Sequence, residues 1–313
     1  MCTAIAYKTN DCYFGRNLDL ERGYGERVVV TPRNFPFTFR YAPPLARHYA
    51  MIGMAAVADG YPLYFEATNE RGLSCAGLHF PHNAVYGDGE AGKTGIAPFE
   101  LIPYLLGACA TAAEARETLD GVCVLDCPYS AALPVTPLHW LIADEREAIV
   151  LECTAAGARV YGNPFGVLTN NPPFEFHLQN IKKYMALHEG AAENRLAPAT
   201  SLINDSLGMG ALGLPGDFSS ASRFVRAVFV KEKSVSDGSE RESVNQFFHI
   251  LRAVSMPKGC VLTPGGEYEY TRYSSCCNAD TGVYYYTTYE DATPRRVAMG
   301  DFDTDGRTLF VTE

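Results

Sequence analysis

The residue that carries the most chemistry for its position is Cys2, directly after Met1. Cysteine is small enough for a methionine aminopeptidase to remove Met1, which would leave a thiol and a free α-amine on one residue. An α-amine has a pKa of about 7.7–8.0, so near neutral pH part of it is a free base. A thiol, at about 8.5, needs a base or a nearby cation to become a good nucleophile. Cys2 would then hold half of a nucleophilic apparatus by itself. Read in isolation, it equally suits a small hydrophobe opening a strand.

Three further groups of residues could complete that apparatus. Arg16, Asn17 and Asp19 follow two short strand-like runs, residues 3–7 and 12–15, joined by the turn-like Lys8-Thr9-Asn10-Asp11. If those runs pair as a hairpin, the chain returns beside Cys2 at these residues. A cation there lowers the pKa of a thiol, and a carboxylate orients an amine. Val167-Leu168-Thr169-Asn170-Asn171-Pro172-Pro173 is a strand end running into a turn, and a side-chain amide there can donate to an oxyanion. Ser219-Ser220-Ala221-Ser222-Arg223-Phe224-Val225-Arg226 opens a helix. A cation in a first turn opposes the macrodipole, so Arg223 calls for a charged partner elsewhere. The bland alternatives are a solvated Arg/Asp pair, a turn asparagine before proline and an exposed arginine. Other nucleophile systems are missing: there is no G-x-S-x-G elbow, P-loop or H-E-x-x-H, and the seven histidines have no metal-cluster spacing. Gly208-Met209-Gly210 lacks the strand-before, helix-after context of a dinucleotide site. No cofactor and no metal are expected.

The elements that must position these residues are mainly short strands joined by turns. Besides the first pair, strands are expected over residues 27–31, 51–57, 64–67, 73–77, 138–142, 149–153, 268–274 and 283–289. Their short connections predict antiparallel hairpins. Helices are expected over residues 98–109 with a kink at Pro103, from a Thr111-to-Glu114 capping box to 119, and over 174–187 and 222–231. A further helix has Val244, Phe247, Phe248 and Leu251 on one face. Residues 231–242 read as an exposed loop. The pattern predicts a layered α+β fold, and the lack of a composition break predicts a single domain over residues 1–313.

Composition narrows the function class. Of 313 residues, 47% are hydrophobic and 20% charged, which suits a globular protein with a substantial core. The net charge of −10 and the lack of a basic stripe argue against a nucleic-acid partner. No apolar run long enough for a membrane span and no signal peptide are visible, so a cytoplasmic protein with ten reduced cysteines is expected.

Several of these motifs, in order, resemble one family. Met1-Cys2-Thr3, Phe14-Gly15-Arg16-Asn17-Leu18-Asp19, Ala76-Gly77-Leu78-His79-Phe80-Pro81, Leu168-Thr169-Asn170, Leu214-Pro215-Gly216-Asp217-Phe218 and Ser222-Arg223-Phe224 look like the choloylglycine hydrolases. That family contains bile salt hydrolases and penicillin V acylases, within the N-terminal-nucleophile superfamily. The resemblance continues through Gln246–Leu251 and Tyr273–Cys277 and covers nearly the whole chain.

The resemblance implies an αββα four-layer sandwich and, as closest subclass, a bile salt hydrolase acting on conjugated bile acids. It implies that Cys2 attacks the amide carbonyl while its α-amine moves the proton, with no longer pro-segment to cleave. Arg16 and Arg223 would tune and orient the thiolate, Asp19 would hold the amine, and Asn170 would donate to the oxyanion. His79 departs from the pattern: many bile salt hydrolases have Asn at this place and penicillin V acylases often Tyr. Leu18, Tyr64 and Phe65 would line a steroid pocket with His79, or belong to the core. A homotetramer is also implied, the loop 208–215 reaching a neighbour. The alternatives kept open are a penicillin V or acyl-homoserine-lactone acylase, an acyltransferase that makes bile acid conjugates, and a non-catalytic binder.

Overall fold

The computed structural model describes residues 1–312. In chain order its strands begin with β1 (Cys2–Lys8), β2 (Cys12–Leu20), β3 (Arg27–Thr31), β4 (Met51–Ala58), β5 (Tyr61–Asn69), β6 (Ser74–His79) and β7 (Thr94–Ile96). Helices α1 (Leu101–Ala108) and α2 (Ala112–Asp120) follow, then β8 (Val122–Val124), β9 (Leu138–Ala143), β10 (Ala148–Thr154), β11 (Gly157–Gly162) and β12 (Val167–Leu168). The remainder holds α3 (Phe174–Asn180), α4 (Ser220–Lys233), α5 (Glu240–Arg252), β13 (Tyr270–Asn278), β14 (Val283–Thr288), β15 (Arg295–Ala298) and β16 (Phe310–Val311).

Two large antiparallel sheets result. One runs β12-β1-β2-β13-β14-β15 and the other β11-β10-β9-β6-β5-β4-β3-β16. They pack face to face, and each carries helices on its outer face, which gives the expected αββα sandwich of α+β class. Strands buried on both faces need apolar or internally partnered side chains at every position, and β2 is buried from Tyr13 through Asp19. Between the sheets lie Ala4, Leu18, Ile52, Met54, Leu78 and Leu141, continuous with Phe247, Phe248 and Leu251 of α5. A second cluster joins Val29, Tyr64, Cys75, Trp140 and Leu151 to Leu101, Leu105 and Leu106 of α1.

The helix α5 buries the face that its 3.6 periodicity predicts, Val244, Phe247, Phe248 and Leu251. At α2, Thr111 Oγ1 accepts from Glu114 N at 3.2 Å, but the returning Glu114 carboxylate takes the Ala110 N–H rather than that of Thr111. Pro103 makes no kink: it sits in the first turn of α1, where its missing N–H has no intrahelical partner to lose. The helix from residue 174 is α-helical only to Asn180 and ends in a 3-10 turn, Ile181–Tyr184. The loop between α4 and α5 is confined to residues 234–239, because both helices extend into the expected 231–242 stretch. The strands β7, β8, β11, β15 and β16 lie outside the expected ones. All ten cysteines are free thiols, and no helix among the described residues is long and apolar enough to cross a membrane.

Gly15 shows how tightly the first sheet is packed at its centre. A Cβ built on it would lie 1.9 Å from the Ser275 carbonyl oxygen of β13, which is backbone and cannot swing away. Gly15→Ala should therefore lower stability by about 3 kcal/mol, an overpacking cost at the upper end of the usual range. Chemical denaturation followed by circular dichroism reads the change, and a loss under about 1 kcal/mol would mean that β2 and β13 separate more easily than this spacing implies.

Candidate active site

The hairpin β1–β2 builds the first half of the site. Its register pairs Cys2 with Leu18, Thr3 with Asn17 and Ala4 with Arg16. The ladder continues one residue further, with Asp19 N donating to Met1 O at 3.0 Å and the Met1 amine donating to Asp19 O at 2.7 Å. Arg16, Asn17 and Asp19 thus lie inside β2 and not after it. The polar sequence reads as a loop because the strand hides these side chains from water and supplies their partners from other elements. Arg16 is fully buried, and its Nη1 donates to Phe65 O at 3.0 Å and Gly77 O at 2.6 Å. Its Nη2 is buried without a partner. Burial works against its charge, but the negative groups around it, Cys2, Tyr273, Glu66 and Asp19, outweigh that and push its pKa up. Asp19 Oδ1 accepts from Thr271 Oγ1 at 2.6 Å, while its Oδ2 is also buried and unpartnered. An unpaired donor and an unpaired acceptor, both buried and both charged, flank the hairpin end that carries Cys2.

The other half comes from β12 and α4. β12 pairs with β1 so that Ala4 faces Leu168; continuing that register by two residues puts Asn170 opposite Cys2. Cys2 N donates to Asn170 Oδ1 at 2.8 Å, across 168 residues of sequence. Arg223, also fully buried, binds both: Nη1 donates to Cys2 O at 2.5 Å and Thr3 Oγ1 at 2.6 Å, and Nη2 to Asn170 Oδ1 at 2.7 Å. Its Nε donates to Phe218 O at 3.0 Å. The charged partner expected for Arg223 is replaced by four neutral oxygens, so it acts as a clamp on Cys2 and Asn170 backbone and amide atoms. Asn170 Nδ2 donates to His79 O at 2.6 Å, which ties the end of β6 to the same cluster.

The expected pocket residues divide by strand face. Leu18 is cross-strand neighbour to Cys2, and Phe65 packs on the same inter-sheet cluster. Tyr64 does not reach the site: it packs in the cluster under α1, and its hydroxyl bonds Thr31 Oγ1 at 2.7 Å. The pairing of β4 with β5 skips Phe65, since Met54 faces Glu66 while Ala55 faces Tyr64. This bulge turns Phe65 inward beside Glu66 and leaves Tyr64 outward. Burial and the neighbouring chain terminus hold the His79 pKa down to about 4, so its ring is neutral near neutral pH.

Several residues of the support were not anticipated. His139 Nε2 meets Thr169 O and its Nδ1 meets Glu152 Oε1, each at 2.9 Å, with Phe80 stacked on the ring at 4.3 Å. Ser220 Oγ takes the Asn170 N–H at 2.8 Å, and His177 Nε2 lies 3.1 Å from Asn170 O. The backbone on both sides of Asn170 is thereby fixed. One signal was available in the sequence: the β9–β10 register, with Leu151 opposite Trp140, places Glu152 opposite His139 as a polar pair inside two apolar strands.

The chain has relatives throughout its length. A bile salt hydrolase/transferase from Lactiplantibacillus plantarum is 48% identical over 310 residues, covering 99% of this chain and 96% of its own. A conjugated bile acid hydrolase from Lactobacillus gasseri is 38% identical over 91% of this chain and 92% of its own. The solved structure of a conjugated bile acid hydrolase from Clostridium perfringens superposes with a TM-score of 0.92 at 34% identity, covering 100% of this chain and 97% of that one. Penicillin V acylase from Agrobacterium tumefaciens shares the fold, with a TM-score of 0.78 at 20% identity over 98% of this chain and 90% of that one. The family model for linear amide C–N hydrolases of the choloylglycine hydrolase type matches residues 2–312. The sandwich topology agrees with these matches, and the chain belongs to the choloylglycine hydrolase family of linear amide C–N hydrolases.

Proposed function

We propose that this protein hydrolyses the amide bond of bile acids conjugated to glycine or taurine, with Cys2, freed of Met1, as nucleophile. The observation that carries the reading is the convergence on Cys2: its nitrogen lies on Asn170 Oδ1, Arg223 holds its carbonyl, and Arg16 Nη2 and Asp19 Oδ2 are buried without partners. The full-length relatives named for bile salt hydrolysis supply the substrate class.

In this mechanism Cys2 Sγ attacks the amide carbonyl carbon and its proton passes to the α-amine. Burial lowers the pKa of the Met1 amine; a Cys2 α-amine buried in the same place would be pushed the same way, so that more of it is unprotonated and free to accept that proton. The second amide hydrogen of Asn170 Nδ2 meets the oxyanion while the first stays on His79 O. Collapse breaks the C–N bond, the departing glycine or taurine nitrogen takes the proton from the α-ammonium, and a thioester remains. Water, deprotonated by the α-amine, attacks the thioester and releases the bile acid with the thiol regenerated. Asp19 orients the amine, Arg16 supports the thiolate, and Arg223 positions Cys2 against Asn170. Leu18, Phe65 and the neutral His79 ring form walls around the acyl group. A second reading follows from the hydrolase/transferase name of the 48% identical relative: an amino acid in place of water would give a new conjugate from the same thioester.

The chain is read as one domain, because β16 near its end returns to pair with β3 near its start. We place it in the cytoplasm, where ten free thiols persist. As partners we propose three further copies of the chain. Residues 191–208 form neither helix nor strand, yet Leu196, Ile203 and Leu207 are 95%, 86% and 100% exposed, a cost that a neighbouring subunit would remove.

Two measurements check this. Purified protein should release glycine and taurine from glycocholate and taurocholate faster than it cleaves phenoxymethylpenicillin or long-chain acyl-homoserine lactones, and Cys2→Ala should lose all of it, by about 10⁴-fold or more. Clear penicillin cleavage without bile conjugate turnover would overturn the substrate assignment, and including His79→Asn tests the pocket wall. Light scattering should find four chains per particle; a monomer at micromolar concentration would reject the assembly.

A further inference from the structure

Glu66 is a carboxylate that the mechanism above does not use, buried to 1% exposure between the two sheets. Three hydroxyl groups donate to it: Tyr273 to Oε2 at 2.7 Å, and Ser275 and Tyr284 to Oε1 at 2.9 and 2.5 Å. Among the described residues it is the only carboxylate within 4.0 Å of Arg16, its Oε2 lying 3.9 Å from Arg16 Nε. Ser275 Oγ also accepts the Arg16 backbone N–H at 3.1 Å, so the shell around Glu66 fixes the Arg16 backbone too. Three donors aimed at one carboxyl, with a permanently charged guanidinium beside it, are the surroundings of an ionised carboxylate. An isolated guanidinium in this place would be a buried, uncompensated charge.

We propose that Glu66 is a positioning residue that sets the reactivity of Cys2 through Arg16: its negative charge holds the guanidinium in place with Nη2 free and tempers the positive field that Arg16 exerts on the thiol. This rests on Cys2 being the nucleophile. The charged groups around Cys2 are the amino terminus, Arg16 and Asp19 from β2 and Arg223 from α4; those facing Glu66 are Arg16 from β2, Tyr273, Ser275 and Cys277 from β13, and Tyr284 from β14. Of these, only Arg16 is a cation that touches both shells. Desolvation raises the Glu66 pKa, and Arg16 with the three hydroxyls works against that rise.

The test is the pH dependence of Cys2 alkylation by iodoacetamide in the mature protein, read on the N-terminal peptide by mass spectrometry. Glu66→Gln removes the negative charge, so the midpoint should move to lower pH by about half a unit or more. Tyr284→Phe takes away one of the donors that favour the ionised carboxyl, so its midpoint should move the same way, by less. A purely structural role would lower the melting temperature of both variants and leave both midpoints where wild type has them. That result, or shifts of the opposite sign, overturns the proposal. Should Glu66→Gln not fold, the downward shift in Tyr284→Phe decides alone. Wild-type enzyme alkylated on Cys2 should lose turnover of glycocholate; if it keeps turnover, the nucleophile assignment falls and this proposal with it. Unmoved midpoints with turnover lost on alkylation sink the role of Glu66 only.

Discussion

Arg223 is the interaction on which the site depends. One fully buried guanidinium joins the start of β1, through Cys2 O and Thr3 Oγ1, to the turn after β12, through Asn170 Oδ1. Without it, past the end of the short β1–β12 ladder, only the bond from Cys2 N to Asn170 Oδ1 would hold the two side by side. A chain end is poorly ordered unless tied down, and Cys2, as the proposed nucleophile, must be held to a fraction of an ångström. The clamp costs the desolvation of a charge, which its hydrogen bonds to four oxygens offset. Truncating it would leave buried acceptors unsatisfied, at about 1–3 kcal/mol each.

The same logic extends into the space between the sheets. Arg16 reaches across the sandwich to carbonyls of β5 and β6, and Glu66 gathers hydroxyls from β13 and β14. These polar contacts join strands of the two sheets at one place, while apolar packing elsewhere would allow them to slide. Behind Asn170, His139 with Glu152, Ser220 and His177 secure the backbone. The site is therefore assembled from β1, β2 and β12 of the first sheet, β6 of the second, and α4. Its two unpartnered charged atoms, Arg16 Nη2 and Asp19 Oδ2, are the places where a reacting group can still add an interaction.

Much of this was legible in the chain, and the reasons differ by residue. Cys2, the hairpin that brings Arg16 to it and the α5 face are local patterns, set by turn chemistry and periodicity. Arg16 to Asp19 read as following their strand, because a strand buried on both faces by polar partners lacks the alternation that reveals one. The outward turn of Tyr64 depends on a bulge in the pairing of β4 with β5, a relation between strands that neither strand displays alone. Arg223 stands out in the sequence as a cation in an unfavourable helical position, yet its partners are neutral oxygens, three of them from distant segments. Strands such as β16, two residues long, exist only through the neighbour they pair with.

The central claim is that the α-amine of Cys2 takes part in the reaction. In the chain that retains Met1, the Cys2 nitrogen is an amide, and the Met1 amine is bound to Asp19 O and ion-paired with Glu269. The direct measurement is turnover of glycocholate by preparations whose Met1 content is fixed by intact mass, made with and without inhibition of methionine aminopeptidase. The account predicts that activity is proportional to the fraction of chains beginning at Cys2 and falls to background in the Met1-retaining form. Equal turnover by chains that keep Met1 would contradict it.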